Sequence, residues 1–351
     1  MKLKLALLDS DTQYLQRLVM VFNDKYADEL EVYSFTSADF AAEAVRDNKI
    51  QLFLADEAFE IAAKELPKGC GFAYLTQDSA VETIKGQKAI CKFQRAETLY
   101  RQLLDLYADV ADPQYVFKGK SGNSSLLWFS SPCGGVGTSS LAAAKAIHDA
   151  LAGLKTLYLN LTCFGGADLF FQADGKDFGD VIYALKSKKN NLLLKLESCL
   201  NRDPATGVYF YGQPKIALDM LELTADDREM LLEELLSSGM FDKIIVDADF
   251  SFRADGLLSA RVADKWIWCT DGSASANAKI ARAYKALTIL EETAENSLQA
   301  SVTVLGNKWT SYSVCPEESV PKLAGTAAFV QNQSPAACAR ILAGLTVFDV
   351  L

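Results

Sequence analysis

The stretch Leu126-Leu127-Trp128-Phe129-Ser130-Ser131-Pro132-Cys133-Gly134-Gly135-Val136-Gly137-Thr138-Ser139-Ser140-Leu141-Ala142-Ala143-Ala144 decides how the second half of the chain folds. It passes from an apolar run through a glycine-rich turn into a helix-forming run. A strand, a turn and a helix N-terminus in that order aim backbone N–H groups at one point, where an anion is held by them and by the helix dipole. Gly134, Gly135 and Gly137 let the backbone approach phosphate oxygens with no Cβ in the way. Ser139 stands where the hydroxyl of a phosphate loop coordinates Mg²⁺. Glycine-rich turns also occur with no ligand at all. It is the strand on one flank and the helix on the other that turn the reading toward phosphate.

Outward from this loop the chain keeps alternating. A helix is expected over 141–151, a strand over 156–159, a charged amphipathic helix over 226–236 and a short apolar strand over 243–246 that ends at Asp247. Further strands are expected over 265–269 and 301–305. Upstream, residues 1–110 alternate in the same way. Strands are expected over 3–8, 31–35, 51–55, 71–75 and 89–93, with helices over 13–22, 38–47 and 98–108. Between the two regions, residues 111–125 are polar, rich in Gly and Ser and without periodicity, so they read as a linker. The expected fold class is therefore α/β with two domains, a flavodoxin-like parallel sheet over 1–110 and a doubly wound P-loop sheet over 126–351. The segments 167–200 and 311–333 carry no functional signal.

The composition narrows the function classes. At 351 residues and half hydrophobic, the chain can bury two cores. A net charge of −10 speaks against a general nucleic-acid binder, so no direct nucleic-acid partner is expected. The eight cysteines form no C-x-x-C pair and there is one histidine, His148, which argues against a Cys/His zinc site. They read as free thiols of a reducing compartment. The first residues are too short an apolar run for a signal peptide. No segment has the length of a membrane span, and the expected location is cytoplasmic.

The phosphate loop resembles that of the MinD/ParA superfamily of deviant P-loop ATPases, whose motif is Lys-Gly-Gly-x-Gly-Lys-Ser/Thr-Ser/Thr. Gly134, Gly135, Gly137, Ser139 and Ser140 match it, around Val136 at the variable position. Cys133 replaces the signature lysine that reaches across a dimer to the partner's nucleotide. Thr138 replaces the general P-loop lysine. The resemblance implies ATP and Mg²⁺ as cofactors, with Cys133 to Ser140 on the phosphates and Ser139 with Asp247 on the metal. Phe241 to Asp247 looks like the Walker B strand, though a buried strand with a capping acid would read the same. Residues 248–256 would be the switch region, with Asp249 where proline is common. Asn160 and Thr162 replace the Asp-x-Asp pair whose first acid helps position the attacking water, so slow hydrolysis is implied and no catalytic residue is assigned. Asn307 and Lys308 follow a strand that resembles the one presenting an asparagine to adenine; an ordinary loop asparagine fits those residues equally. Arg253 and Lys308 are the candidates to replace the missing lysine charge, and either also reads as a solvated surface cation.

In the first domain Asp9, Asp11, Asp56, Thr76 and Lys92 fall at or just after strand ends, which share one crevice in a parallel sheet. They are similar to the pocket of a response-regulator receiver. Asp56 matches the phosphorylated aspartate, Asp9 and Asp11 the metal-binding acids, Thr76 the switch hydroxyl and Lys92 the lysine. Ser10, Glu57-Ala58-Phe59 and Phe93 depart from that pattern, and solvated loop-end acids remain the alternative. A receiver-like domain followed by a MinD/ParA-like domain resembles the TadZ/CpaE group, in which the P-loop lysine is often missing. That resemblance implies a homodimeric, ATP-dependent scaffold for the Tad/Flp pilus secretion machinery, placed at a cell pole or at the membrane through its partners. Two rival functions stay open: an active ATPase moving DNA or membrane cargo, and a regulator controlled by phosphorylation of Asp56. The near absence of cations in the apolar C-terminus, 339–351, favours a docking or core helix over a lipid-surface helix.

Overall fold

The computed structural model describes residues 2–111, 124–173, 175–187, 191–252, 261–292, 301–317, 320–331 and 333–351. The chain forms two compact units. The first is Met1–Phe117 with Lys188–Cys199, the second Lys118–Ser187 with Leu200–Leu351. Most of the segment expected as a linker, 112–123, lies outside the described residues.

In the first unit β1 (Leu3–Leu8), β2 (Leu30–Phe35), β3 (Leu52–Asp56), β4 (Gly71–Thr76), β5 (Thr83–Ile84) and β6 (Gln87–Cys91) form one sheet in the order β2-β1-β3-β4-β6-β5. All pairings are parallel except β5 with β6. The period of two places Leu3, Leu5 and Leu7 in one core with α1 (Thr12–Lys25) and α3 (Ala96–Ala108), while Ala6 and Leu8 enter the other with α2 (Ala38–Asp47). Between β4 and β6 the chain makes a hairpin instead of a helix. Its turn, Lys85-Gly86, has φ of 51° and 77°, the left-handed backbone a two-residue hairpin demands. Sequence alternation read the strand as starting at 89 and ending at 93; β6 stops at Cys91, and the Lys92 N–H still donates to Thr76 O at the end of β4, at 2.8 Å.

The first unit also takes in a helix from far along the chain. Residues 188–199 fall within the 126–351 domain by sequence, yet α6 (Leu192–Cys199) buries Leu194 in the core beside α3.

In the second unit the sheet order is β14-β13-β12-β7-β11-β8-β10-β9, parallel apart from β9 (Asn201–Arg202) against β10 (Tyr209–Phe210). At its centre β7 (Ser125–Ser130) lies between β11 (Lys243–Asp247) and β12 (Lys265–Thr270). On the far side of β11 is β8 (Thr156–Asn160), with Asn160 level with Asp247. Beyond β12 come β13 (Val302–Trp309) and β14 (Leu323–Ala328). The helices are α4 (Thr138–Leu151), α5 (Phe178–Lys186), α7 (Ala225–Ser237), α8 (Ala274–Glu292) and α9 (Pro335–Leu342). The order puts the C-terminal ends of β7, β8, β11, β12 and β13 along one edge, where a ligand of an open α/β sheet binds. The end of the chain folds back on α4. The buried Lys145 ammonium bonds Phe348 O at 2.9 Å and Asp149 at 2.8 Å. No helix among the described residues is long and apolar enough to cross a membrane.

Candidate nucleotide and receiver sites

The turn after β7 is fixed before any ligand is considered. The Ser131 hydroxyl donates to Cys269 O at 2.6 Å and accepts the Cys133 N–H at 3.0 Å, which ties the loop to β12. Cys133 is buried, its Sγ 3.2 Å from Ala276 O on α8, and burial pushes its thiol pKa up. The side chain at the signature-lysine position thus points into the protein, where it cannot reach another subunit. Gly135 and Gly137 have φ of 77° and 83°, a backbone that L side chains avoid.

Three successive carbonyls of this turn are held by the end of β13. The Asn307 amide donates to Val136 O at 2.9 Å and to Gly137 O at 3.3 Å, and the Lys308 ammonium donates to Gly135 O at 2.6 Å. A Cβ on Gly137 would lie 2.4 Å from Asn307 Nδ2, so the approach is as close as glycine allows. Carbonyls turned toward β13 leave the intervening N–H groups facing away from it, at the start of α4, which is the arrangement that binds an anion. Lys308 reaches the loop from an exposed position and a left-handed backbone with φ of 52°. Asn307, expected either against an adenine base or as an ordinary loop asparagine, is 3% exposed and has the carbonyls of this turn in reach.

Asp247 ends β11 beneath the loop and is 1% exposed. The Tyr158 hydroxyl donates to its Oδ2 at 2.8 Å and the Asn160 amide at 3.1 Å. Burial pushes its carboxyl up to about 6, with nearby Asp249 adding to the shift and the Ser139 and Tyr158 hydroxyls opposing it. Ser139 and Asp247 are thus close enough to interact, as a shared Mg²⁺ requires. Asn160 Oδ1 also accepts the Thr162 N–H and hydroxyl, at 3.2 and 2.8 Å. A second carboxylate at Asn160 would meet Asp247 at hydrogen-bond distance and repel it, which the amide avoids. Asp249, in the segment 248–256 expected as a switch region, accepts the Cys163 N–H on Oδ2 at 2.8 Å. Arg253 lies outside the described residues.

The receiver-like pocket gathers Asp9, Asp56, Thr76 and Lys92, all buried. Lys92 Nζ lies 2.5 Å from Asp9 Oδ2 and forms a second ion pair with Asp56 Oδ2. Burial alone would lower the pKa of this ammonium; the two carboxylates outweigh it and hold it raised. The Tyr14 ring packs against it, 5.4 Å from Nζ to the ring centroid. Asp11 does not join the other acids. Its carboxylate caps α1, accepting the N–H groups of Gln13 and Tyr14 at 2.9 and 3.0 Å. Thr76 lies by Glu57, its hydroxyl 3.3 Å from Oε1. The lysine therefore sits between Asp9 and Asp56. Among the described residues no group of three or more His, Cys, Asp or Glu is arranged for a metal.

Comparisons with known proteins agree with this division. Residues 1–108 match the family model described as "TadZ-like, receiver domain". Over the rest, the structure is similar to a ParA family ATPase from Chlorobium tepidum TLS, at 16% identity and a TM-score of 0.53, over 65% of this chain and 98% of that one. It is also similar to the septum site-determining protein MinD complexed with Mg-ADP from Pyrococcus horikoshii OT3, at 14% identity and a TM-score of 0.47, over 63% of this chain and 94% of that one. No curated protein matches the chain. The second unit thus shares the fold of that ParA family ATPase. Residues 1–108 are therefore similar to a TadZ-like receiver domain, and the fold of the ParA family ATPase follows it in the same chain.

Proposed function

We propose that the chain is a nucleotide-gated scaffold that binds ATP·Mg²⁺ and hydrolyses it weakly or not at all. The observation that supports this most is the clamp on the phosphate loop. Asn307 and Lys308 hold the carbonyls of Gly135, Val136 and Gly137, and Lys308 brings an ammonium to a loop whose own lysine positions are Cys133 and Thr138. The donor set fits the group. Ser139 and Asp247 offer a hydroxyl and a buried carboxylate to Mg²⁺, the backbone of 134–140 offers N–H groups to the phosphates, and Lys308 offers a positive charge. When bound, Mg²⁺ would neutralise phosphate charge; the chain's own groups hold and orient the nucleotide.

Weak turnover follows from the residues beside the site. Asn160 cannot accept a proton, and its amide is committed to Asp247 and Thr162. Bound nucleotide would then order the switch region over 248–256 and favour a homodimer with nucleotide at the interface. The TadZ-like receiver domain points to Tad/Flp pilus secretion machinery as the partner, and to a cytoplasmic protein held at a pole or membrane by that partner.

Calorimetry with ATP·Mg²⁺, with phosphate release followed on the same sample, tests the reading. Binding with little or no turnover is expected. Rapid phosphate release would favour an active ParA-type motor, and no binding would refute the nucleotide reading altogether.

Control by phosphorylation of Asp56 is the reading the pocket opposes. Lys92 occupies the space between Asp9 and Asp56, and Asp11 is used as a helix cap. Incubation with acetyl phosphate and Mg²⁺, read by intact mass, is expected to show no gain that depends on Asp56. An added phosphoryl group lost in Asp56→Asn would reverse this conclusion.

A further inference from the structure

The segment that carried no signal in sequence holds the most unusual placement in the structure. Helix α6 lies in the chain between α5 and β9 of the second unit, yet it is part of the first. Its attachment there is specific. The Lys195 ammonium reaches Asp105 Oδ1 at 2.6 Å, Asp105 O at 3.2 Å and Asp109 Oδ1 at 3.0 Å. Just before α6, the Asn191 amide donates to Ala108 O at 3.1 Å and Ala111 O at 2.9 Å, closing the C-terminal end of α3. Leu194, Leu196, Ser198 and Cys199 are buried.

Asp105 has a second partner. Its other oxygen, Oδ2, meets Lys88 of β6 at 2.7 Å. One carboxylate on α3 therefore bridges α6 to β6, the strand that ends one residue before Lys92, the cation of the receiver-like pocket. At its other end α6 is bound to the second unit by the chain itself. Leu200 alone separates Cys199 from Asn201 of β9. β9 pairs with β10, β10 with β8, and β8 with β11, where Asn160 stands level with Asp247.

We propose that α6 is an interaction element dedicated to the α3 face of the receiver-like domain, and that through Asp105 it sets the state of the Lys92 pocket. The partner that face fits is a short helix with a lysine and one buried apolar ridge, and the chain supplies it from the stretch between α5 and β9. The pocket is then governed by the nucleotide domain instead of by phosphoryl transfer; that last step rests on the nucleotide reading above. A coupling of this kind needs an element in contact with one site and continuous with the other, and α6 is bonded to α3 and continuous in the chain with β9.

Hydrogen exchange on the full chain, read by mass spectrometry with alkylation of Cys91, tests this in two arms. In the first, without nucleotide, Lys195→Ala is expected to raise exchange over 87–92 and the alkylation rate of Cys91 by about five-fold or more, with β1 to β3 unchanged. Lys195→Arg should restore the wild-type pattern, and Asp105→Asn should reproduce the alanine effect. A change confined to 191–199, or a uniform loosening of the whole receiver-like unit, overturns the proposal. In the second arm ATP·Mg²⁺ is added, with affinity measured by calorimetry on the same samples. The wild type should respond at 87–92 and in α3, and Lys195→Ala should bind ATP as well but lose that response. Binding without any response in the wild type overturns the nucleotide step. Absence of binding refutes the nucleotide reading itself, and the first arm then still decides whether α6 controls the pocket.

Discussion

Replacing Lys308 with alanine should weaken ATP·Mg²⁺ binding by about 10- to 100-fold, the scale of one hydrogen bond to a charged group. The expectation comes from the loop's own composition. Cys133 and Thr138 carry no charge, and Cys133 is turned inward toward Ala276 O. Lys308 is the cation that the described structure places on this loop, 2.6 Å from Gly135 O. Lys308→Arg should keep most of the affinity. Lys308→Gly should lose it as alanine does, although glycine suits the left-handed backbone at this position better. That pair of outcomes separates charge from backbone strain. Calorimetry is the measurement. An affinity within about three-fold of wild type for both Ala and Gly would remove Lys308 from the site, since that corresponds to well under 1 kcal/mol.

Asp247→Asn should raise the stability of the nucleotide-free second domain at pH 7.5 and abolish its stabilisation by ATP·Mg²⁺. Burial raises the Asp247 pKa from 3.8 to about 6. The folded domain therefore holds this proton more tightly than the unfolded chain does. Stability falls as pH rises through that window, and the whole penalty is present above it. A shift of that size corresponds to roughly 3 kcal/mol, or an increase of about 5–10 °C in Tm for a domain of this size when the charge is removed. The amide can still accept the bonds from Tyr158 and Asn160 with its oxygen. Thermal melts between pH 5 and 8 give the test. The wild type should lose stability across pH 4–6 relative to the variant, and a variant that melts lower at pH 7.5 contradicts this account.

What could be read from sequence was whatever rests on local pattern. The strand, glycine turn and helix start around Gly134 to Ser140 and the strand ending at Asp247 were legible, because apolar runs and glycines mark where strands end and turns begin. The strands and helices of the first domain were legible for the same reason, since alternation and helical spacing record burial. The orientation of polar side chains was not. Asn307 bonds the carbonyls of the turn and Asp11 caps a helix, and neither bond is encoded in a local sequence pattern. Helix α6 was hidden for a different reason. Its Leu194 and Lys195 find their partners about 90 positions away in sequence, and no local periodicity encodes which core a helix will enter. The hairpin through Lys85-Gly86 was missed as well, although a lysine-glycine turn between short apolar runs is a signal that could have found it.

The amide at Asn160 bears on time as well as on chemistry. A nucleotide switch that hydrolyses its ligand carries its own clock, and the bound state ends when the bond breaks. With an amide beside Asp247, that clock would run slowly or stand still. The lifetime of the bound state would then be the residence time of ATP, set by dissociation and by whatever opens the loop clamp at Asn307 and Lys308. Such a protein would follow the nucleotide pool and its partners, and would leave each assembly when released from it, without counting turnovers.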